Sequence, residues 1–344
     1  MGTLANTGTQ ITAAFKQQFH DTFEIACQQK QSVLESLVTS RGQIQGASFT
    51  INDMGSVEMS QRKFADRFSA TNFEVPEAGT RLAIMEDYDL FVPIEPRDLP
   101  KLSASPDSAY MQLMVAAANR AKDKLIYRQL FADIQRRNET EIQPDGKGSS
   151  IASGVGGYTM QSFGKDSAGG VLGQTILASG QIIPGTANAA GALGILDKAT
   201  LIKLRALFMR NFADDEEIYV TYNDAMLQTI LADTTLTSAD YMAVQMLQSG
   251  NVAGKWLGLN WVNYQGLGYV DNKGADSATL PSDGGFKAAV FTKSALHFGT
   301  GENYQTDVQT RADLRNIKQL SANMSFGAGR ANEKKVAALC FRGQ

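Results

Sequence analysis

At 344 residues, 43% of them hydrophobic and 19% charged, the chain is long enough for two cores, or for one extended subunit with projecting parts. Lys and Arg number 32 against 35 Asp and Glu, a formal net charge of -3, which argues against a protein whose main task is gripping nucleic acid, because phosphate binding needs a concentrated positive field. Its two cysteines, Cys27 and Cys340, are too few for a disulfide framework, and no CxxC or Cys/His cluster offers a structural zinc site.

The first residues carry neither the basic start nor the apolar run of a signal peptide, and no window approaches about 20 uninterrupted apolar residues. A soluble protein made in a reducing cytoplasm, with no membrane partner, is the expectation. Over residues 11–38, Phe15, Phe19, Phe23, Cys27, Leu34 and Val38 recur at helical spacing, which predicts an amphipathic helix ending near Gly42. Its glutamine-rich polar face suits either another protein or the chain's own domain.

Residues 47–59 and 80–94 read as two strands of a long hairpin, separated by the charged and aromatic tip QRKFADRFSATNFEVPEAG. Pro76, Pro93, Pro96 and Pro100 impose edge or turn constraints on its second half. Such an arm buries little on its own and calls for a partner on a neighbouring subunit. Within the tip, Arg62, Lys63, Phe64, Asp66, Arg67 and Phe68 mix basic and aromatic side chains; Glu58, Asp66, Glu74 and Glu77 cancel much of the positive field. These six residues are therefore candidates for an intersubunit contact rather than a nucleic-acid site, with charge pairs fixing register.

Ser105-Pro106-Asp107 is a helix start, since Ser can cap, Pro suits the first helical position and Asp complements the dipole. Residues 110–135 contain no Gly or Pro, and Met114, Ala118, Ala121, Leu125, Ile126, Leu130 and Ile134 mark an apolar face. A helix of roughly thirty residues spans about 45 Å and can act as a strut. Residues 145–194 are rich in Gly, Ser and Ala and read as an extended loop with a hairpin around Gly180, either a mobile insertion or a segment ordered by assembly.

Asp197 is placed to cap a helix through Met209; an acidic solvated turn at 214–217 then leads to a strand at 218–222 and a helix from near Asn223. In residues 236–261, Thr237, Ser238 and Asp240 can cap a helix carrying Tyr241, Val244 and Leu247 on one face, with Gly250 as its stop. A strand at 256–261 follows, with Gly258 marking close packing. The remainder reads as a loop at 266–285, a strand at 287–298, the stretch RADLRN at 311–316, a β-like run to Phe326, a turn at the GAGR of 327–330 and a last strand at 335–341. No repeat of 20 to 50 residues occurs, which excludes solenoids and propellers.

The search for chemistry finds little. Gly146-Lys147-Gly148-Ser149 fails as a phosphate loop, because Gly148 stands where Ser or Thr is required and Glu141 where the first Gly is required. His20 and His297 have no metal-binding or nucleophilic neighbours, and a hydrogen-bonded structural role is the simpler reading of a strand histidine. No G-x-S-x-G elbow occurs, both cysteines sit at apolar positions where an unreactive thiol is expected, and the acidic run at 214–217 lacks calcium-loop spacing. No catalytic, cofactor or metal site is assigned.

The words DYDL at 87–90, SPDSAYMQ at 105–112, TSADYMAVQML at 237–247 and GAGRANEKKV at 327–336, with the order of elements, resemble the major capsid proteins of tailed bacteriophages over nearly the whole chain. The resemblance implies an α+β fold: an N-terminal helical arm at 1–42, an extended hairpin loop and peripheral-domain strand at 43–100, a spine helix at 101–145, the Gly-rich insertion at 146–194, an axial domain at 195–310 and a return to the peripheral domain at 311–344. It also implies a non-enzymatic subunit of a virion capsid, assembled in the host cytoplasm into hexamers and pentamers. Scaffolding protein, a portal and decoration proteins would be its partners, with double-stranded DNA enclosed without sequence-specific binding. The shell of a cellular compartment with the same architecture is the alternative reading, and an uncharacterised cytoplasmic enzyme is a further one.

Overall fold

The structure, a computed structural model, describes residues 28–54, 59, 61, 78–94, 107–132, 134–138, 159–161, 180–185, 193–232, 255–272, 274, 276–301, 305–314 and 316–343. In chain order the elements are β1 (Thr39–Ile44), β2 (Ser48–Met54), β3 (Ala78–Ile94), α1 (Asp107–Phe131), β4 (Ile134–Asn138), β5 (Thr159–Gln161), β6 (Ile182–Pro184), α2 (Lys198–Arg210), β7 (Ile218–Tyr222) and α3 (Asp224–Ala232). There follow β8 (Lys255–Trp256), β9 (Leu259–Asn263), β10 (Gly268–Val270), β11 (Asp276–Ser277), β12 (Gly285–Thr292), β13 (Leu296–Gly301), β14 (Gln305–Arg311), β15 (Ile317–Arg330) and β16 (Val336–Phe341).

Two sheets result. The first runs β1-β13-β15-β3-β4-β5, with β14 beside β15 and β2 beside β3; the second runs β11-β10-β12-β7-β9-β8, with β16 joining β12 to β6. The long strand β15 pairs with β3 from Lys318 opposite Ile94 to Gly327 opposite Met85. Its other edge is taken by β14 along the first half and by β13 along the second. In the second sheet every residue of β16 is buried, so its sequence VAALCF is a continuous apolar run rather than an alternating one. One core spans both sheets: Leu125, Ile126 and Leu130 of α1, Leu201, Leu204 and Phe208 of α2, Val220 and Val290 of the second sheet, and Phe298 and Phe326 of the first.

The predicted hairpin is present, with β2 antiparallel to β3 from Ser48 opposite Ile84 to Met54 opposite Ala78. Asp197 caps α2 through a 2.9 Å bond from the Thr200 amide. Asn223 likewise caps α3, its side-chain oxygen accepting from the Met226 amide at 3.0 Å. The tip of the hairpin, residues 1–27 and the helix expected at 237–247 lie outside the described residues.

Several expectations are corrected. From residue 28 onward the N-terminal segment is not α-helical: the Val33 and Leu34 amides donate to the Asp123 carboxylate at 3.0 and 3.1 Å, and only a 3-10 turn at Glu35–Leu37 follows. Leu34 and Val38 are nonetheless buried, and Gly42 lies within β1 at φ 71°. Helix α1 stops at Phe131 after 25 residues, about 37 Å, so Ile134 and Gln135 belong to β4. The buried guanidinium of Arg330 explains the stop, donating to the Leu130 and Ala132 carbonyls at 3.1 and 2.7 Å where a helix would need further amides.

The hairpin expected around Gly180 falls partly outside the described residues; after the turn at 180–181 the chain forms β6, parallel to β16. Gly258 is a turn residue, not a strand residue: Leu257 and Gly258 have φ of 54° and 72°, the twist of a two-residue hairpin turn joining β8 to β9. The supposed loop at 266–285 contains β10 and β11. The single strand expected at 287–298 is two strands, because a 3-10 turn at Lys293–Ala295 carries the chain from the second sheet to the first. The GAGR sequence is no turn either; β15 continues through it, and Gly327 is there because a Cβ would stand 2.7 Å from the Ile84 carbonyl oxygen of β3.

Candidate assembly surfaces

The seventeen residues of β3 would reach about 55 Å when extended. Its outer part, with β2, buries only the small group Phe49, Ile51 and Ala83. On this outer part Met54 and Ile84 remain 76% and 52% exposed, apolar surface left open to water.

Four polar anchors hold this arm and its neighbours to the core. The Arg81 guanidinium of β3 meets the Glu333 carboxylate in the turn before β16, with Nη2 to Oε2 at 2.7 Å. The Asp123 carboxylate, fully buried on α1, accepts from the Gln29 side chain, from Ser32 Oγ at 2.5 Å and from the two amides named above, tying residues 29–34 to that helix. On α1, Arg128 pairs with Glu86 of β3, which also accepts from Tyr88 Oη at 2.8 Å. Burial opposes the Glu86 charge, but the Arg128 and Tyr88 hydrogen bonds outweigh it and hold its pKa below the usual carboxylate value.

The fourth anchor departs from the expected solvated turn at 214–217 at Glu216 alone, since Asp214, Asp215 and Glu217 are exposed. Glu216 accepts from Lys335 Nζ at 2.6 Å, from Ser294 Oγ at 2.6 Å and from the Ser294 amide at 3.1 Å. Burial works against the charge, yet the Lys335 and Ser294 hydrogen bonds bring the Glu216 pKa down to about 2. The group pins the entry of β7, the sheet-switching turn and the start of β16 to one another. Ser294 Oγ and Lys335 Nζ both donate to the Glu216 carboxylate, so the trio is a structural clamp.

His297 on β13 accepts at Nδ1 from Arg41 Nε of β1 at 2.7 Å, a hydrogen-bonded structural histidine. Cys340 is buried in β16, and burial pushes its thiol up to about 11, which makes it unreactive. Among the described residues no group of His, Cys, Asp and Glu could hold a metal, and no helix is long and apolar enough to cross a membrane. Arg62, Lys63, Phe64, Asp66, Arg67 and Phe68 lie outside the described residues.

A second exposed apolar surface was not read from the sequence. Around α2 and its C-terminal turn, Ile202, Met209 and Phe212 are 52%, 53% and 87% exposed. The signal for it was present at the helix end, where Phe212 occupies the left-handed position that glycine normally takes after a helix.

The fold as a whole is that of phage shells. The capsid of cyanophage P-SCSP1u superposes with a TM-score of 0.63 at 17% identity, covering 100% of this chain and 98% of that one. The capsid of Ralstonia phage GP4 gives 0.63 at 10% identity over 100% and 99%, and the capsid of a native GTA particle gives 0.60 at 10% over 99% and 100%. No curated protein matches the sequence. The phage capsid protein family matches residues 11–342, so the chain belongs to that family and is a structural protein of the virion shell, not an enzyme.

Proposed function

We propose that copies of this chain form the hexamers and pentamers of an icosahedral head that encloses double-stranded DNA, assembled in the host cytoplasm with a scaffolding protein and a portal and open to later decoration proteins. The observation that carries this reading is the β2–β3 arm, tied to the core through Arg81 and, by way of Glu86, through Arg128, with Ile84 between those ties and Met54 toward the tip left exposed. An arm of this kind completes its burial on a neighbouring subunit, and contacts between different surfaces of identical copies close into rings. The tip residues Arg62, Lys63, Phe64, Asp66, Arg67 and Phe68 belong to this contact. A net charge of -3 suits a wall that contains DNA without gripping it.

Electron microscopy and solution mass of the purified chain, expressed with its neighbouring genes, test the reading. Closed isometric particles containing DNA are expected; particles filled with protein cargo would make it a compartment shell, and a uniform dimer or tetramer under all conditions would overturn it. Deleting residues 62–73 is expected to leave a folded subunit that forms no shells.

A further inference from the structure

Helix α2 presents three distinct faces. At 100° per residue, Leu201, Leu204 and Phe208 point to the core, where all three are buried. About a third of a turn away, Lys203, Ala206, Leu207 and Arg210 form one wall of an open cavity of about 460 Å³ whose other wall is Ile182 and Pro184 of β6. The remaining face carries Ile202 and Met209, both half exposed, and continues into Phe212.

Phe212 is the most informative residue of the three. The helix closes with the Ala213 amide on the Phe208 carbonyl at 2.9 Å and the Phe212 amide on the Met209 carbonyl at 3.1 Å, a termination that requires a left-handed residue between them. That residue is a phenylalanine at φ 52°, where glycine would be unstrained, and its side chain is 87% exposed. Within one subunit the ring therefore strains the backbone and buries almost nothing.

The charges beside the two features are opposite. Asp214 and Asp215 follow Phe212 and are exposed, while Lys203 and Arg210 rim the cavity. None of these four forms an ion pair among the described residues. An acidic aromatic knob and a basic, apolar-walled groove thus lie on adjoining faces of one helix, and no ion pair joins them among the described residues.

We propose that the knob of one copy enters the groove of the next: Phe212 sits between α2 and β6 of the neighbouring subunit, with Asp214 and Asp215 against that subunit's Lys203 and Arg210. The inference rests on the shell reading and names one contact that builds the shell. Knob and groove are separate surfaces, so each copy can give one and receive the other, the arrangement that closes rings. Burial of the aromatic ring supplies the affinity and the charges select the register.

The test uses the full chain in shell assembly, followed by sedimentation and electron microscopy. Phe212→Gly relieves the strained position, so the unassembled subunit is expected to melt no lower than its parent while the concentration at which shells appear rises about tenfold or more. The pair D214K/D215K is expected to lose shells, and adding K203E/R210E to the same chain is expected to restore them. Phe212→Gly assembling at the parent's concentration, or a folded four-site chain that still forms no shells, would overturn the proposal. If the parent forms no shells, the shell reading and this contact fall together; if parent and all variants assemble alike, only the contact falls.

Discussion

Arg81 and Glu333 form a two-pronged ion pair across a sequence gap of 252 residues, and both side chains are nearly out of solvent, at 5% and 12% exposure. The pair joins the projecting strand β3 to the turn that starts the innermost strand, β16. Removing the guanidinium leaves the Glu333 carboxylate, nearly out of solvent, without this cation, which costs about 3–5 kcal/mol in comparable settings. Arg81→Met should therefore lower the unfolding free energy of the unassembled subunit by about that amount in urea titration. R81M/E333L should recover most of the loss, because an apolar pair of similar volume carries no desolvation cost.

Asp123→Ala should act more locally. Its carboxylate is the acceptor for the Val33 and Leu34 amides, for Ser32 Oγ and for the Gln29 side chain, so the substitution strips residues 29–34 of their shared partner. Each buried donor left unpaired costs about 1–3 kcal/mol. Hydrogen exchange is expected to show the Val33 and Leu34 amides losing protection first, while amides of β16 keep theirs. Equal loss of protection at both places would mean that Asp123 holds the whole core and not the N-terminal junction.

What the sequence displayed, and what it hid, follows from the range of the forces involved. Caps act within one turn, so Asp197 and Asn223 marked their helices, and α1 begins at Asp107, while the expected cap at Ser105 lies outside the described residues. The hairpin of β2 and β3 was legible from its two strand-like runs flanking a charged tip. Misreadings arose where a distant residue decides the local outcome. Asp123 takes the amides of Val33 and Leu34, Arg330 takes the last carbonyls of α1, and the Ile84 carbonyl of β3 requires glycine at 327 inside a strand. In the segment 287–298, apolar residues flank Thr292-Lys293-Ser294, and the break into two sheets falls there, where Glu216 holds Ser294 from 78 residues away. Of the surfaces, the charged tip was visible as composition; the α2 ridge was not, because exposure of Ile202 and Met209 is set by which helix face the core selects.

The Glu216 clamp predicts a specific acid response. Its pKa falls from 4.5 to about 2 on folding: burial alone would raise it, and the hydrogen bonds from Lys335 and Ser294 more than reverse that. A carboxyl with a depressed folded pKa contributes stability that is complete above pH 4.5 and is lost as pH falls toward 2. Glu216→Gln should be less stable than the parent at neutral pH, and the gap between the two unfolding curves should close across that window. A gap that stays constant down to pH 2 would show that the clamp works through shape and not charge.

His297 offers the most direct readout, since the chain contains only one other histidine, His20. Burial first, and then the Arg41 charge donating to Nδ1, lower its pKa from 6.5 to about 4. The neutral imidazole accepts at Nδ1, so its proton resides on Nε2. Because the folded value is depressed, stability is complete above pH 6.5 and declines as pH falls through about 4, where folding competes with protonation of the unfolded histidine. An NMR titration of the unassembled subunit should place the His297 midpoint near 4 and move it upward in Arg41→Met, which removes the adjacent cation but leaves burial in place. The residual depression in that variant measures burial alone, and a midpoint unchanged by the substitution would show that the β1–β13 contact does not form in solution.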